Sequence, residues 1–251
     1  MTNVYATPES DLGYKTTSER AGGSVEDAIA GNIDISMTGT MGEAWRCLPG
    51  FKFKCNVAIL FYYIIVMLAA FISLPIIFGL TAIGADVTTA TAVGSVIQMI
   101  ASLSIMTMFM GIHIMGMRHA ENKTVSAGSV FAYFNRVPAI LLCYIIMMIM
   151  VLLGFVLLVL PAIYLMIAYM YAMPLVVEKN MPAWRALETS RKALTHKWFP
   201  FFGLILLVML INMLAILTLF IASIWTIPWA VLTVSMVYTK LFGAEPLTLA
   251  D

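Results

Sequence analysis

The sequence predicts an all-α integral membrane protein: six transmembrane helices as three hairpins, each preceded by a cytoplasmic amphipathic segment. Three observations lead there. Hydrophobic residues make up 62% of the chain and charged residues only 11%, against roughly 25% charged in a soluble domain. Mean hydropathy is +0.96. A soluble globule of this size cannot hide that much apolar surface, so a soluble enzyme, a nucleic-acid binder and a disordered scaffold are excluded as the main reading. Next, the residues after Lys54 form three apolar blocks, 56–117, 137–177 and 198–239, whose only formal charge is Asp86. As one helix the second block would be roughly 61 Å long, twice the bilayer core of roughly 30 Å, so each block must fold back once. Finally, all 14 Lys and Arg lie outside the three reversal points. That is a strong positive-inside pattern, and it puts both termini in the cytoplasm.

Residues 1–40 are rich in Thr, Ser, Gly, Asp and Glu. Such a segment buries too little apolar area to offset its ordering entropy, so a flexible cytoplasmic tail is expected. Ser24 and Asp27 have the spacing of a helix cap within it. The tail contains no apolar signal core, so the first apolar segment, from Val57, is expected to stay as an anchor. Domain limits follow: tail 1–40, six-helix membrane domain 41–243, short cytoplasmic C-terminus 244–251.

The expected spans are 57–79, 91–117, 138–158, 160–177, 198–222 and 226–241. Gly84 to Thr89 breaks the first block, Gly154 or Pro161 the second, and Ser223 to Pro228 the third. An internal repeat supports the hairpin unit. FKCNVAILFYYII from Phe53 and FNRVPAILLCYII from Phe134 agree at seven of thirteen positions, at an offset of 81.

The amphipathic segments run from Thr40 to Lys54, Ser126 to Arg136 and Pro182 to Trp198. Pro49 and Gly50 are expected to break the first before its span. In the third, Met181, Trp184, Leu187, Ala193 and Leu194 can face lipid, and Glu188 and Lys192 form an i,i+4 pair. Trp45, Trp184 and Trp198 suit the membrane interface. Together with Arg46, Lys52, Lys54, Arg136, Arg185, Arg191, Lys192 and Lys197 they make a basic rim. Such a rim attracts anionic headgroups by about 1 kcal/mol per cation, or serves only to fix topology.

No Asp, Glu, Lys or Arg lies centrally in a span, which weighs against a proton- or sodium-coupled transporter. Gln98, His113 and Asn212 are the polar candidates for a path. The plainer role for Gln98 and Asn212 is an interhelical hydrogen bond, worth about 0.6 kcal/mol each. Met106, Met110, His113 and Met117 fall on one helical face. Thioethers and an imidazole can bind Cu(I), although methionine is also a packing residue, and the chain has 20 of them. Cys47, Cys55 and Cys143 fit no metal or redox spacing. No acid pair, nucleophile–His pair or Gly-rich phosphate loop appears, so no catalytic residues and no cofactor are expected.

The stretch LPAIYLMIAYMYAMPLVVEKNMPAWRALETSRKALTHKWFPFF is the most distinctive in the chain. Its Pro174 to Val177, Ala186, Leu187, Ser190 and Trp198 resemble a pattern in six-span bacterial membrane proteins related to the membrane domain of glycerophosphoryl diester phosphodiesterases. The opening NVYATPESDL is similar to the start of many small proteobacterial membrane proteins. The resemblance covers about 40–245. It implies six helices in a bacterial inner membrane and no activity, because the phosphodiesterase catalytic domain is absent. The reading from sequence is a non-enzymatic inner-membrane module of unknown role that associates with anionic lipid, a partner membrane protein or its own copies, and not with nucleic acid. The alternatives are an uncoupled transporter or channel-like homo-oligomer, and a soft-metal binder.

Overall fold

The structure, a computed structural model, describes residues 22–245 and residue 248. Every regular element among them is helical. The first part of the expected tail, 1–21, with NVYATPESDL inside it, lies outside the described residues.

Helix α1 (Val25–Ala30) starts where the capping pair predicts. Ser24 Oγ accepts from the Asp27 N–H and donates to the Asp27 carboxylate, and Gly31 closes the helix at φ 76°. Ala28 is fully buried. His196 pairs with the Ile29 carbonyl at 2.8 Å, and Lys197 with Asp34 at 2.6 Å. The stretch from Ala28 to Asp34 therefore packs on the body.

Helix α2 (Met37–Ala82) is continuous, at roughly 69 Å, and contains Pro49 and Pro75. The break expected at Pro49 and Gly50 does not occur. Proline removes one backbone donor and strains the turn before it, and contacts from distant residues brace this region. The His119 imidazole sits 2.9 Å from the Cys47 carbonyl and packs on the Phe51 ring, and Trp229 Nε1 donates to the Met41 carbonyl at 3.0 Å. Gly50 leaves room for His119, whose ring a Cβ there would meet at 2.9 Å. The first half of α2 buries Thr40, Met41, Ala44, Leu48, Phe51, Cys55 and Ala58, an i, i+3/i+4 stripe that faces protein.

The chain reverses at 83–86, as expected from Gly84, and continues as helix α3 (Val87–Ala120). Asp86, the one formal charge in the three apolar blocks, is a helix cap. It accepts from the Thr89 N–H and hydroxyl, which hold its carboxyl below the usual carboxylate range. Ala69, Ser73, Ala90, Gly94 and Ala101 are buried along the two helices. Small residues let backbones approach closely.

Helix α4 (Val137–Leu157) carries Pro138 in its first turn, a position at which the two repeat copies differ. Its counterpart Val57 lets α2 run on, whereas Pro138 at a helix start gives up a donor that has no partner there anyway. The break to helix α5 (Val159–Ala168) falls at Leu158, between the two expected positions. Pro161 sits in the first turn of α5, where no intrahelical donor is needed. Gly154 is a crossing point, since a Cβ there would lie 3.0 Å from Ala162 Cα.

After α5 the backbone breaks at Tyr169–Tyr171 and resumes as α6 (Ala172–Glu178) and α7 (Ala183–Thr195). Ser190 of α7 closes the break, accepting from the Tyr171 N–H at 3.2 Å and donating to the Ala168 carbonyl at 2.7 Å. Ser190 is fully buried. Ser190→Ala leaves a buried donor and a buried acceptor unpaired, and is expected to cost about 1–3 kcal/mol. A thermal scan in detergent followed by tryptophan fluorescence would read it; an unchanged midpoint would mean that the break needs no serine.

The chain then bends by 96° into helix α8 (Trp198–Leu214). The third reversal comes earlier than expected. A 3-10 turn at Ala215–Thr218 leads to Leu219 and Phe220, both at positive φ, and Pro228 lies inside helix α9 (Ser223–Phe242). The second amphipathic segment forms two short 3-10 turns, Ala127–Phe131 and Phe134–Arg136.

Four stretches are long and apolar enough to cross a membrane: Met37–Ala82, Val87–Ala120, Ala127–Leu157 and Val159–Glu178. Counting the bent pair α7–α8 makes five. Six were expected; α9 does not reach that apolarity. It packs against the first half of α2 and the last turns of α3, and buries Leu232, Met236, Val237, Tyr238, Leu241 and Phe242. The core therefore gathers at one end of the molecule. The other end exposes large apolar side chains, Phe71, Phe78, Val156, Leu157 and Leu219 among them.

Candidate functional site at the packed end

Most of the basic rim is already partnered. Arg191 and Lys192 both pair with Glu188, at 2.8 and 3.4 Å. The Arg191 hydrogen bond holds the Glu188 carboxyl below its usual range, and the same bond raises the guanidinium. Lys197 bonds Asp34 and holds that carboxyl low too. Lys240, outside the expected set, pairs with Glu43. Arg136 donates to the Asn180 side chain. The Lys52 ammonium stands 4.7 Å above the Trp225 ring centroid. Arg46, Lys54 and Arg185 have no hydrogen bond or ion pair among the described residues. Trp45 and Trp184 are 55% and 62% exposed, whereas Trp198 stacks on Phe202 and donates to the Tyr164 carbonyl.

The third amphipathic segment departs from its expected orientation. Leu187, Ala193 and Leu194 are buried in the protein core rather than turned to lipid, and only Trp184 of that set is largely exposed. Helix α7 packs on α6, α4, α1 and α5, so its apolar face is spent on protein.

Of the polar candidates, His113 and Asn212 come together and Gln98 does not join them. A groove of about 230 Å³ between α3, α8 and α9 is lined by Phe109, Ile112, His113, Asn212, Ile227, Ala230, Val231 and Val234. Asn212 accepts from the Thr226 hydroxyl at 2.9 Å and donates to the Val208 carbonyl, so it ties α8 to α9. That is the interhelical bond named as its plainer role.

His113 is 4% exposed. Ser235 Oγ lies 2.9 Å from the His113 carbonyl and 3.1 Å from Nδ1. A hydroxyl has one proton. Given to the carbonyl, it leaves the serine oxygen to accept from Nδ1–H. The neutral ring then presents Nε2 as a bare lone pair. Nε2 is buried and has no partner among the described residues. The rings of Tyr238 and Tyr171 lie 5.5 and 6.3 Å from the imidazole, but their hydroxyls are committed to Glu178 and to the Val234 carbonyl. Met110 and Met117 are buried on the same face of α3 and Met106 is half-buried. Among the described residues no three His, Cys, Asp or Glu stand together as a metal site.

Sequence reasoning missed one cluster. Glu178, whose side chain is fully buried, accepts from the Tyr238 hydroxyl at 3.0 Å and from the Glu245 N–H, and Lys179 lies 3.4 Å from Glu178 and 3.1 Å from Glu245. This pins the chain after α9 to the end of α6. The one available signal was a carboxylate flush against an apolar run, PLVVE, where a solvated face would place it a turn away. No family model, no curated protein and no solved structure matches the chain.

Proposed function

We propose that the protein is a non-enzymatic module of a bacterial inner membrane, with six spans as three hairpins and both termini in the cytoplasm, that associates with anionic lipid and through it with neighbouring membrane proteins. The observation that carries this reading is the pairing of two surfaces. One end of the molecule exposes large apolar side chains on α2, α3, α4 and α8. The packed end carries exposed tryptophans beside cations that have no acidic partner among the described residues. Among the described residues Arg46, Lys54 and Arg185 pair with no carboxylate, and Trp45 and Trp184 are adjacent to two of them in sequence. Aromatic residues settle at the headgroup level, and nearby cations attract anionic headgroups. The likeness of α6 and α7 to the phosphodiesterase membrane domain is part of the same proposal, resting on Pro174 to Val177, Ala186, Leu187, Ser190 and Trp198. Of these, Ser190 has the structural task described above.

A channel-like path fits less well. The groove at His113 has mostly apolar walls and Gln98 is not among its lining residues.

The test is native mass spectrometry of the full chain from mild detergent. Wild-type protein is expected to retain phosphatidylglycerol or cardiolipin, and the triple variant Arg46→Gln, Lys54→Gln, Arg185→Gln to lose most of it. Each cation near an anionic surface contributes about 1 kcal/mol, so the three together predict a drop of roughly 100-fold in affinity. Replacing the paired Arg191 and Lys192 should change little. Equal lipid retention by the triple variant would leave the rim as a topology device only.

A further inference from the structure

We propose that the buried face of α3 is a binding site for one soft monovalent cation, of the Cu(I) class, with His113 Nε2 and the thioethers of Met110 and Met117 as ligands and Met106 a turn beyond them. This does not depend on the lipid reading above.

The argument begins with the unpaired nitrogen. A buried polar atom without a partner is costly and rare, and the hydroxyls of the neighbouring Tyr238 and Tyr171 are held elsewhere. The ring has the arrangement of a metal-ligating histidine: Nδ1–H is fixed by a hydrogen-bond acceptor, Ser235 Oγ, and the opposite nitrogen is left as a lone pair. Spacing supplies the rest of the donor set. Met110 and Met117 lie three residues before and four after His113, the distances at which helical side chains are neighbours. Both are at most 2% exposed.

The donor types select the ion. No three His, Cys, Asp or Glu side chains stand together among the described residues, so the donor set lacks what zinc and the hard cations require. Imidazole with thioethers suits Cu(I). A single positive charge also costs less to bury than two. The groove between α3, α8 and α9 reaches the His113 residue from the surface and offers a way in.

The experiment uses the full chain in detergent under anaerobic, reducing conditions, titrated with Cu(I) against a chromophoric chelator. One retained equivalent is expected. Met110→Leu with Met117→Leu conserves core volume, so it should abolish retention while leaving the metal-free thermal transition in place. Ser235→Ala should weaken binding by about 10–100-fold, as loss of an orienting partner does. Met209→Leu, on an exposed face of α8, should bind as wild type. Ag(I), which undergoes no redox change here, should raise the thermal midpoint of the wild type and not of the double variant. If the double variant misfolds, His113→Gln takes its place, with the same loss expected. No retained Cu(I), or equal retention by the ligand variants, would overturn the proposal.

Discussion

Replacing Lys179 with methionine is expected to destabilise the protein by about 3 kcal/mol, the low end of what removing one partner of a buried ion pair costs. Glu178 would stay behind with its side chain fully buried and without its counter-charge. Two donors would remain, the Tyr238 hydroxyl and the Glu245 N–H, which is why the cost falls at the low end. Glu245 is 44% exposed at its side chain and can turn to solvent. The second arm of the test is Glu178→Gln combined with Lys179→Met. It removes both charges and keeps an acceptor for Tyr238, so much of the loss should return. Midpoints of thermal unfolding for the two single variants and the double variant form a cycle that isolates the coupling. If Lys179→Met leaves the midpoint where it was, the charge on Glu178 is not balanced by Lys179, and the attachment of 243–245 to α6 rests on hydrogen bonds alone.

This cluster also marks where sequence reasoning stops. Glu178 lies 60 residues before Tyr238 and 67 before Glu245 in the chain, and nothing local announces their meeting. Features set by neighbours were legible. The Ser24–Asp27 cap and the reversal at Gly84 depend on a few adjacent residues, and they form where the sequence puts them. The apolar blocks and the absence of strands among the described residues follow from composition. Features set by distant contacts were not legible. Pro49 and Gly50 read as a helix stop, but His119 and Trp229 come from other helices to support α2 across them. Leu187 and Leu194 have an amphipathic spacing that serves a membrane surface or a protein core equally well, and only the packing of α6 and α4 on α7 decides for the core. The third reversal was expected several residues too late because Leu219 and Phe220 take positive φ, a conformation their side chains do not advertise. For the candidate site, the spacing of Met110, His113 and Met117 was visible in advance. The partner that fixes the imidazole, Ser235, was not, since it lies on α9, 122 residues away.

The close approach of the loop after α3 gives the second large effect. Gly111→Ala is expected to destabilise the protein by about 1–3 kcal/mol, the usual cost of overpacking a tight site. Helix propensity alone predicts the reverse sign, since alanine is better than glycine inside a helix by about 1 kcal/mol. Geometry decides against propensity here. A Cβ on Gly111 would sit 2.5 Å from Val130 Cα and 2.8 Å from its carbonyl oxygen. Those are backbone atoms of the 3-10 turn at Ala127–Phe131, and no side-chain rotation relieves them. The turn itself buries Val130 completely, and Phe131 packs on Phe61 of α2 at 5.7 Å between ring centroids. Pushing it outward therefore disturbs both helices of the first pair. Gly42 is the control. It lies in the same class of helical backbone, on α2, and a Cβ there meets nothing within 4 Å. Gly42→Ala should raise the unfolding midpoint while Gly111→Ala lowers it. Hydrogen exchange should then show faster opening at 124–136 in the Gly111 variant alone. Two variants that shift together would mean that propensity governs both sites, and that the turn at Ala127–Phe131 does not press on α3.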